Sequence, residues 1–358
     1  MKKAAIFPLF LLLCLSLTAC GGKDSISGEV VAVRQDPAAL ILETSDDRRI
    51  AVLVEEDTYI FGMDEIDGES YKAAPHTGVS VRFFPTGRRT SLTAADGEKL
   101  KAYHPDRYIS IDAYLVENDA ALSDGTVLDV WKSHLWGTRY QLHYQLQDGT
   151  DLLREDAPSG PENCYAGNLE SFDDLSETAK AAVRQYYEEQ GALYDLQAEL
   201  EKAWAAYQAD PETFSAQWVR QDTSPAGSNA RIMYFSTTVI LPLGGNIVEN
   251  RSTCAAFDRE TGAYIPLADL FACPEADIAG TLLTLAAENG SGPDDPALIR
   301  EMQAAFRLEY ADISAYGMRI TFPQGSLPSQ EHAYVVSVDL EDLSGVLHPW
   351  AIPDAPNA

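Results

Sequence analysis

The sequence predicts an α+β protein: an N-terminal small β-barrel or sandwich, then an α+β domain whose antiparallel sheet is packed by helices. Three observations lead there. Short, β-branched, alternating runs separated by Gly, Asp and Pro turns dominate residues 26–116. A long helical stripe runs from Val183 through Tyr187, Leu196 and Leu200 to Trp204. The last third alternates long apolar runs with alanine- and leucine-rich helical segments. At 358 residues the chain exceeds one ordinary domain of about 100–200 residues, so more than one unit is expected.

The first twenty residues stand apart. Met1-Lys2-Lys3 is a basic start and Ala4–Leu17 an apolar run of signal-peptide length, shorter than the about 20 residues that span a bilayer. Leu17-Thr18-Ala19-Cys20-Gly21 follows, a small residue before a cysteine directly after the apolar run. This resembles the lipobox of bacterial lipoproteins. The resemblance implies that residues 1–20 are a lipoprotein signal peptide and that Cys20 is the diacylated residue. The chain is then expected on the extracytoplasmic face of a Gram-positive cell membrane, held by lipid alone.

From there the elements run in order. Residues 21–118 are expected as the small β-rich domain, with strands at Gly28–Val33, Ala39–Thr44, Ile50–Val54, Thr58–Ile60, Val79–Phe84 and Tyr108–Val116. Residues 119–165 hold a hairpin turned at Asp148-Gly149, either a linker or an edge of the second domain. Residues 166–350 are expected as the α+β domain, and 351–358 as a tail. Ser176 is placed to cap the long helix, and Gly191 leaves open one bent helix or two. Strands are expected at Phe214–Arg220, Ala230–Leu241 and Val248–Thr253, helices at Ile278–Asn289 and Pro296–Phe306. Asp312–Phe322 and Ala333–Val338 are expected as two closing strands around a proline-containing loop.

Thr253–Cys273 is the most structured stretch to read. Phe257 ends a β-like run, Asp258 can accept hydrogen bonds from turn amides, and Gly262 supplies a positive φ. The chain returns to a helical turn with Leu267, Asp269, Leu270 and Phe271. Of five cysteines, Cys14 leaves with the signal and Cys20 is lipidated, so Cys164, Cys254 and Cys273 allow at most one bridge. Cys254–Cys273 is the expected disulfide, closed across the local hairpin; Cys164–Cys254 is the alternative.

The pattern F-D-x-x-T-G-x-x-x-x-L-x-D-L-F, carried by Phe257, Asp258, Gly262, Leu267, Asp269, Leu270 and Phe271, is followed by Phe322, Val336, Val338 and Leu343. It is similar to an extracytoplasmic domain of unknown function at the C-terminus of many Firmicutes envelope proteins, among them the sensor half of the lysozyme-responsive anti-sigma factors. In those factors the domain binds lysozyme. The resemblance covers about residues 214–347 and implies a macromolecular ligand, with a cationic lysozyme-like protein the most definite candidate and a cell-wall glycan the other. Signalling to a sigma factor is not expected, because the chain shows neither a sigma-binding segment nor a spanning helix. The N-terminal strands resemble small β-barrel modules of bacterial envelope proteins.

A formal charge of −29 argues against nucleic acid, which needs basic patches, and suits a cationic partner. The basic cluster Arg88, Arg89, Lys99 and Lys101 is too sparse to change that. No HExxH pair links the six histidines and no GxSxG elbow precedes a helix, so no enzyme, metal or cofactor is expected. Asp258, Glu260 and Asp269 read as turn and helix-start residues rather than catalysts. The leading expectation is therefore a noncatalytic surface lipoprotein that recognises an extracellular macromolecule. A structural or assembly component of the envelope, and a carboxylate-dependent wall-polymer hydrolase, are the alternatives.

Overall fold

The computed structural model describes residues 24–355 apart from 47, 64–65, 117–119, 135–138, 159–168, 170–171, 173, 245–246 and 289. Cys20 and Cys164 lie outside the described residues. The fold is α+β, with a large mixed, mainly antiparallel sheet and several helices. The chain divides into two compact units, the first made of residues up to 117 with 131–134, the second of 118–130 with 135–358.

Unit 1 contains β1 (Ile26–Gln35), β2 (Ala38–Glu43), β3 (Arg49–Leu53), β4 (Tyr59–Phe61), the short helix α1 (Gly68–Ala73), β5 (Val79–Thr93) and β6 (Lys99–Leu115). β1 pairs with β2, β2 with β3, β3 with β6, β6 with β5 and β5 with β1, so the hydrogen-bonded circuit returns on itself. Among the described residues of unit 1, only the β3–β6 and β4–β6 pairings are parallel. Inward alternation of Val79, Val81 and Phe83 with Ile109 and Ile111 fills the centre, joined by Leu40, Leu42 and Val52. Asp67 caps α1 by accepting from Ser70 N, which seats Tyr71 in the same core.

The short β7 (Ala120–Ala121) pairs antiparallel with β8 (Val127–His134). In unit 2 the ladder runs β9 (Arg139–Gln145), β10 (Asp151–Pro158), β11 (Gln217–Ser228), β12 (Ile232–Gly244), β13 (Ile247–Asp258) and β14 (Tyr264–Ile265). All its pairings are antiparallel except β10–β11. The expected long helix is two: α2 (Glu177–Gln190) and α3 (Leu196–Ala209). Gly191 ends the first at φ 63°, and Ser176 caps it by accepting from Ala179 N. α4 (Glu275–Glu288) and α5 (Pro296–Ala305) follow, then β15 (Ala311–Ser314), β16 (Gly317–Phe322) and β17 (Tyr334–Asp339) as a second, three-stranded sheet.

The central strands are covered on both faces, which explains why they read as continuous apolar runs. Ile232, Tyr234, Cys254 and Ala256 point into a core with α4, α5 and the second sheet. Their neighbours Met233, Phe235, Ala255 and Phe257 point the other way, onto Val183 and Tyr187 of α2.

Three expectations are corrected. Asp312–Phe322 is not one strand but a hairpin, because Ala315-Tyr316 turns the chain and Gly317 takes φ 136°. The segment from 351 is held in place: Ala351 is buried, and Asn229 Nδ2 donates to the carbonyls of Trp350 and Ile352. The third concerns the Cys254–Cys273 bridge, since both thiols are free. The hairpin pairs Ala256 with Ile265, and the 3-10 turn Leu267–Leu270 carries the chain away before Cys273 is reached. Cys254 Sγ instead sits in the core, 3.8 Å from the carbonyl of Ile313.

Candidate functional site

The residues of the 257–271 pattern are structural. Phe257 is fully buried, and Leu267, Leu270 and Phe271 pack into the core on the other side of the sheet. Asp258 accepts from Glu260 N, Thr261 N and Thr261 Oγ, and these bonds hold its carboxyl below the usual range. Gly262 sits at φ 73° with a missing Cβ that would fall 2.3 Å from the carbonyl oxygen of Ala179. Asp269 is exposed in its 3-10 turn.

The site that does combine chemistry with a cavity is built by the hairpin that the sequence reading missed. A pocket of about 380 Å³ opens between Ser224–Ala226 of β11, Ser236 of β12 and the strands β15, β16 and β17. The β15–β16 register sets Asp312 opposite Arg319 and Ser314 opposite Gly317, and β16–β17 pairing sets Gly317 opposite Asp339. Asp312 and Asp339 therefore line one pocket with the hydroxyls of Ser224, Ser236, Ser314 and Ser337.

Asp312 is the unusual group, at 7% exposure. Its Oδ2 accepts from Ser236 Oγ at 2.9 Å and from Arg319 Nη2 at 3.0 Å. Its Oδ1 is buried without a hydrogen-bond partner among the described residues. A carboxyl oxygen left unpaired away from water is costly, and such groups call for a functional account. Burial pushes the Asp312 carboxyl up, against the opposing pull of Ser236 and Arg319. By contrast Glu155, equally buried, accepts from Tyr144 on one oxygen and Tyr194 on the other. Cys254 faces Ser236 across β12–β13, and burial with the nearby Asp312 charge pushes its thiol up, so it is a poor nucleophile.

This arrangement can receive a hydrogen-bond donor or a cationic group. Beside it, Asp339, Glu341 and Asp342 bring carboxylate oxygens within 4.8 Å of one another, enough to favour positive charge at the rim. The overlooked signal was Tyr316-Gly317 inside an apparent strand, since an internal glycine there marks a turn or bulge.

Asp312→Asn supplies a test of this electrostatic picture. The carboxyl is raised in the folded state above its usual 3.8, so the folded protein holds the proton more tightly than the unfolded chain. Below that value the group does not discriminate between the states. As pH rises through the folded value, ionised Asp312 lowers stability. Thermal melts should therefore show Asp312→Asn gaining on the natural protein as pH rises above about 4, and a difference that does not change with pH would count against the buried charge.

No family model matches the chain, and no curated protein matches it. Among solved structures, a member of the DUF3298 family from Bacteroides fragilis is similar at 11% identity, covering 66% of this chain and 92% of its own, with a TM-score of 0.32. A DUF3298 family protein from Pseudomonas aeruginosa is also similar at 11% identity, covering 67% and 96%, with a TM-score of 0.29. Among the described residues no helix is long and apolar enough to cross a membrane.

Proposed function

We propose that the protein is a noncatalytic, lipid-anchored binding protein of the extracytoplasmic membrane face, and that the unit 2 pocket receives a cationic side chain of a macromolecular partner. The observation that carries this reading is a pocket lined by Asp339 and by Asp312, whose buried Oδ1 has no hydrogen-bond partner among the described residues. The acidic group at Asp339, Glu341 and Asp342 and the net charge of −29 favour the approach of a basic partner. A lysozyme-like protein is the partner that the sequence resemblance implies. Anchoring at Cys20 rests on the lipobox. Unit 1 is read as a small closed barrel that folds as a module, supported by its self-closing strand circuit.

Binding of hen-type lysozyme to the purified chain, followed by calorimetry at low and physiological salt, tests the reading. Affinity should fall with added salt. Asp312→Asn with Asp339→Asn should weaken it about tenfold or more, since a hydrogen bond to a charged group contributes about 1.5–3 kcal/mol. No binding at either salt sinks the lysozyme version.

A second reading has one observation in its favour. Asp312 and Asp339 share a pocket, and the first has a raised affinity for its proton, as a general acid would. Release of reducing ends from wall glycan, abolished by Asp339→Asn, would move the assignment to a hydrolase.

A further inference from the structure

Unit 1 carries a contiguous exposed aromatic face that the unit 2 pocket leaves unexplained. Tyr59 and Phe61 of β4 are each 57% exposed, Phe84 of β5 51% and Tyr108 of β6 49%. Scattered exposed apolar residues are ordinary; a cluster of this kind marks an interaction surface. The strand register assembles it. Tyr59 pairs with Tyr108, and Phe83 with Ile109, which sets Phe84 on the strand beside Tyr108. Inward Phe83 and Ile109 alternate with outward Phe84 and Tyr108. The Phe61 and Tyr108 rings stack with centroids 5.4 Å apart at 21°, and Tyr59 lies 6.0 Å from Tyr108 tilted at 31°, so these three rings form one contiguous exposed platform.

The chain enters the fold beside this platform. Ile26, the first residue of β1, pairs directly with Phe83, the neighbour of Phe84. Strands lie about 4.8 Å apart, so β6 and Tyr108 are about 10 Å from β1. Cys20 is six residues before Ile26, and six residues reach at most about 20 Å. A lipid on Cys20 would thus hold the bilayer surface within one tether length of all four rings.

We infer that this face rests on the bilayer that anchors the chain, with Tyr59, Phe61, Phe84 and Tyr108 seated among the lipid headgroups. The inference rests on the anchoring at Cys20 proposed above. Tyrosine suits this depth because its ring is apolar and its hydroxyl remains wet. The contact is made by neutral rings, so on a neutral phosphatidylcholine surface the acidity of the chain does not oppose it. Tethering raises the effective concentration to the millimolar range, so a face too weak to hold a free protein on lipid still docks an anchored one.

The experiment compares the mature lipidated protein in phosphatidylcholine vesicles with the full-length mature Cys20→Ser chain in buffer. A water-soluble tyrosine-nitrating reagent marks exposed rings, read by peptide mass spectrometry. Tyr59 and Tyr108 should label about fivefold less on vesicles than in buffer, with labelling scaled to a free tyrosine standard present in both samples. Phe61→Ser with Phe84→Ser, both surface changes, should restore labelling on vesicles.

Equal labelling of Tyr59 and Tyr108 in the two forms overturns the inference. Protection already present in buffer also overturns it, because a second copy then covers the face. The same spectra report the diacylglycerol mass on Cys20. If that mass is absent, the anchoring reading fails and takes this inference with it; with the mass present, equal labelling overturns the face alone and leaves the anchoring standing.

Discussion

Phe257→Ala should lower the unfolding free energy by about 3–5 kcal/mol, the range for emptying a fully buried phenylalanine site. That is a large share of the roughly 5–15 kcal/mol that holds a domain together. The ring has no exposure and sits at the centre of an aromatic cluster, 5.8 Å from Phe235, 5.8 Å from Tyr187 and 5.1 Å from Tyr186 between centroids. All three contacts are tilted or edge-to-face, which adds to the area term. The cavity cannot close easily, because β12 and β13 are fixed by their ladder and by the second core on the opposite face. Asp269→Ala, in the same sequence pattern but exposed, should shift stability by no more than about 0.5 kcal/mol. Urea melts of the two variants would separate packing from the pattern as such. A Phe257→Ala midpoint equal to that of the natural protein would remove the cluster from the account.

The stretch around Phe257 was legible in the sequence because its forces are local. Asp258 bonds to amides two and three residues on, and Gly262 needs positive φ within the same turn. The helix cap at Ser176 is readable for the same reason: its hydroxyl accepts from an amide three residues on. The predicted disulfide failed where local reasoning ended, since the 3-10 turn that parts Cys273 from Cys254 is packed by Leu267 and Leu270 against distant strands. The candidate site was hidden for a similar reason. Asp312 and Arg319 are seven positions apart and meet only if the chain reverses between them, while Ser236 reaches them from another sheet. The aromatic face on unit 1 is likewise assembled from three strands, and each contributes only one or two rings.

Gly317→Ala should strike both the fold and the pocket. At φ 136° an alanine backbone is strained by about 1–3 kcal/mol before any contact is considered. Its Cβ would lie 2.3 Å from the carbonyl oxygen of Val338 and 3.0 Å from the nitrogen of Leu340, both backbone atoms that cannot swing aside. The strand β17 must shift or the β15–β16 turn must open. Either movement displaces Asp339 from the rim or Arg319 from its place opposite Asp312. Gly325→Ala is the matched control: φ is 81°, and nothing lies within 4 Å of the added carbon, so only strain is paid there. Melting temperature should drop more for Gly317→Ala than for Gly325→Ala. Binding of a cationic partner, measured at a temperature where both variants are folded, should weaken only in the first. Equal binding by the two would place the recognition surface away from the hairpin, whatever the loss of stability. The glycine thus links the turn that hid the site in the sequence to the carboxylate geometry that defines it.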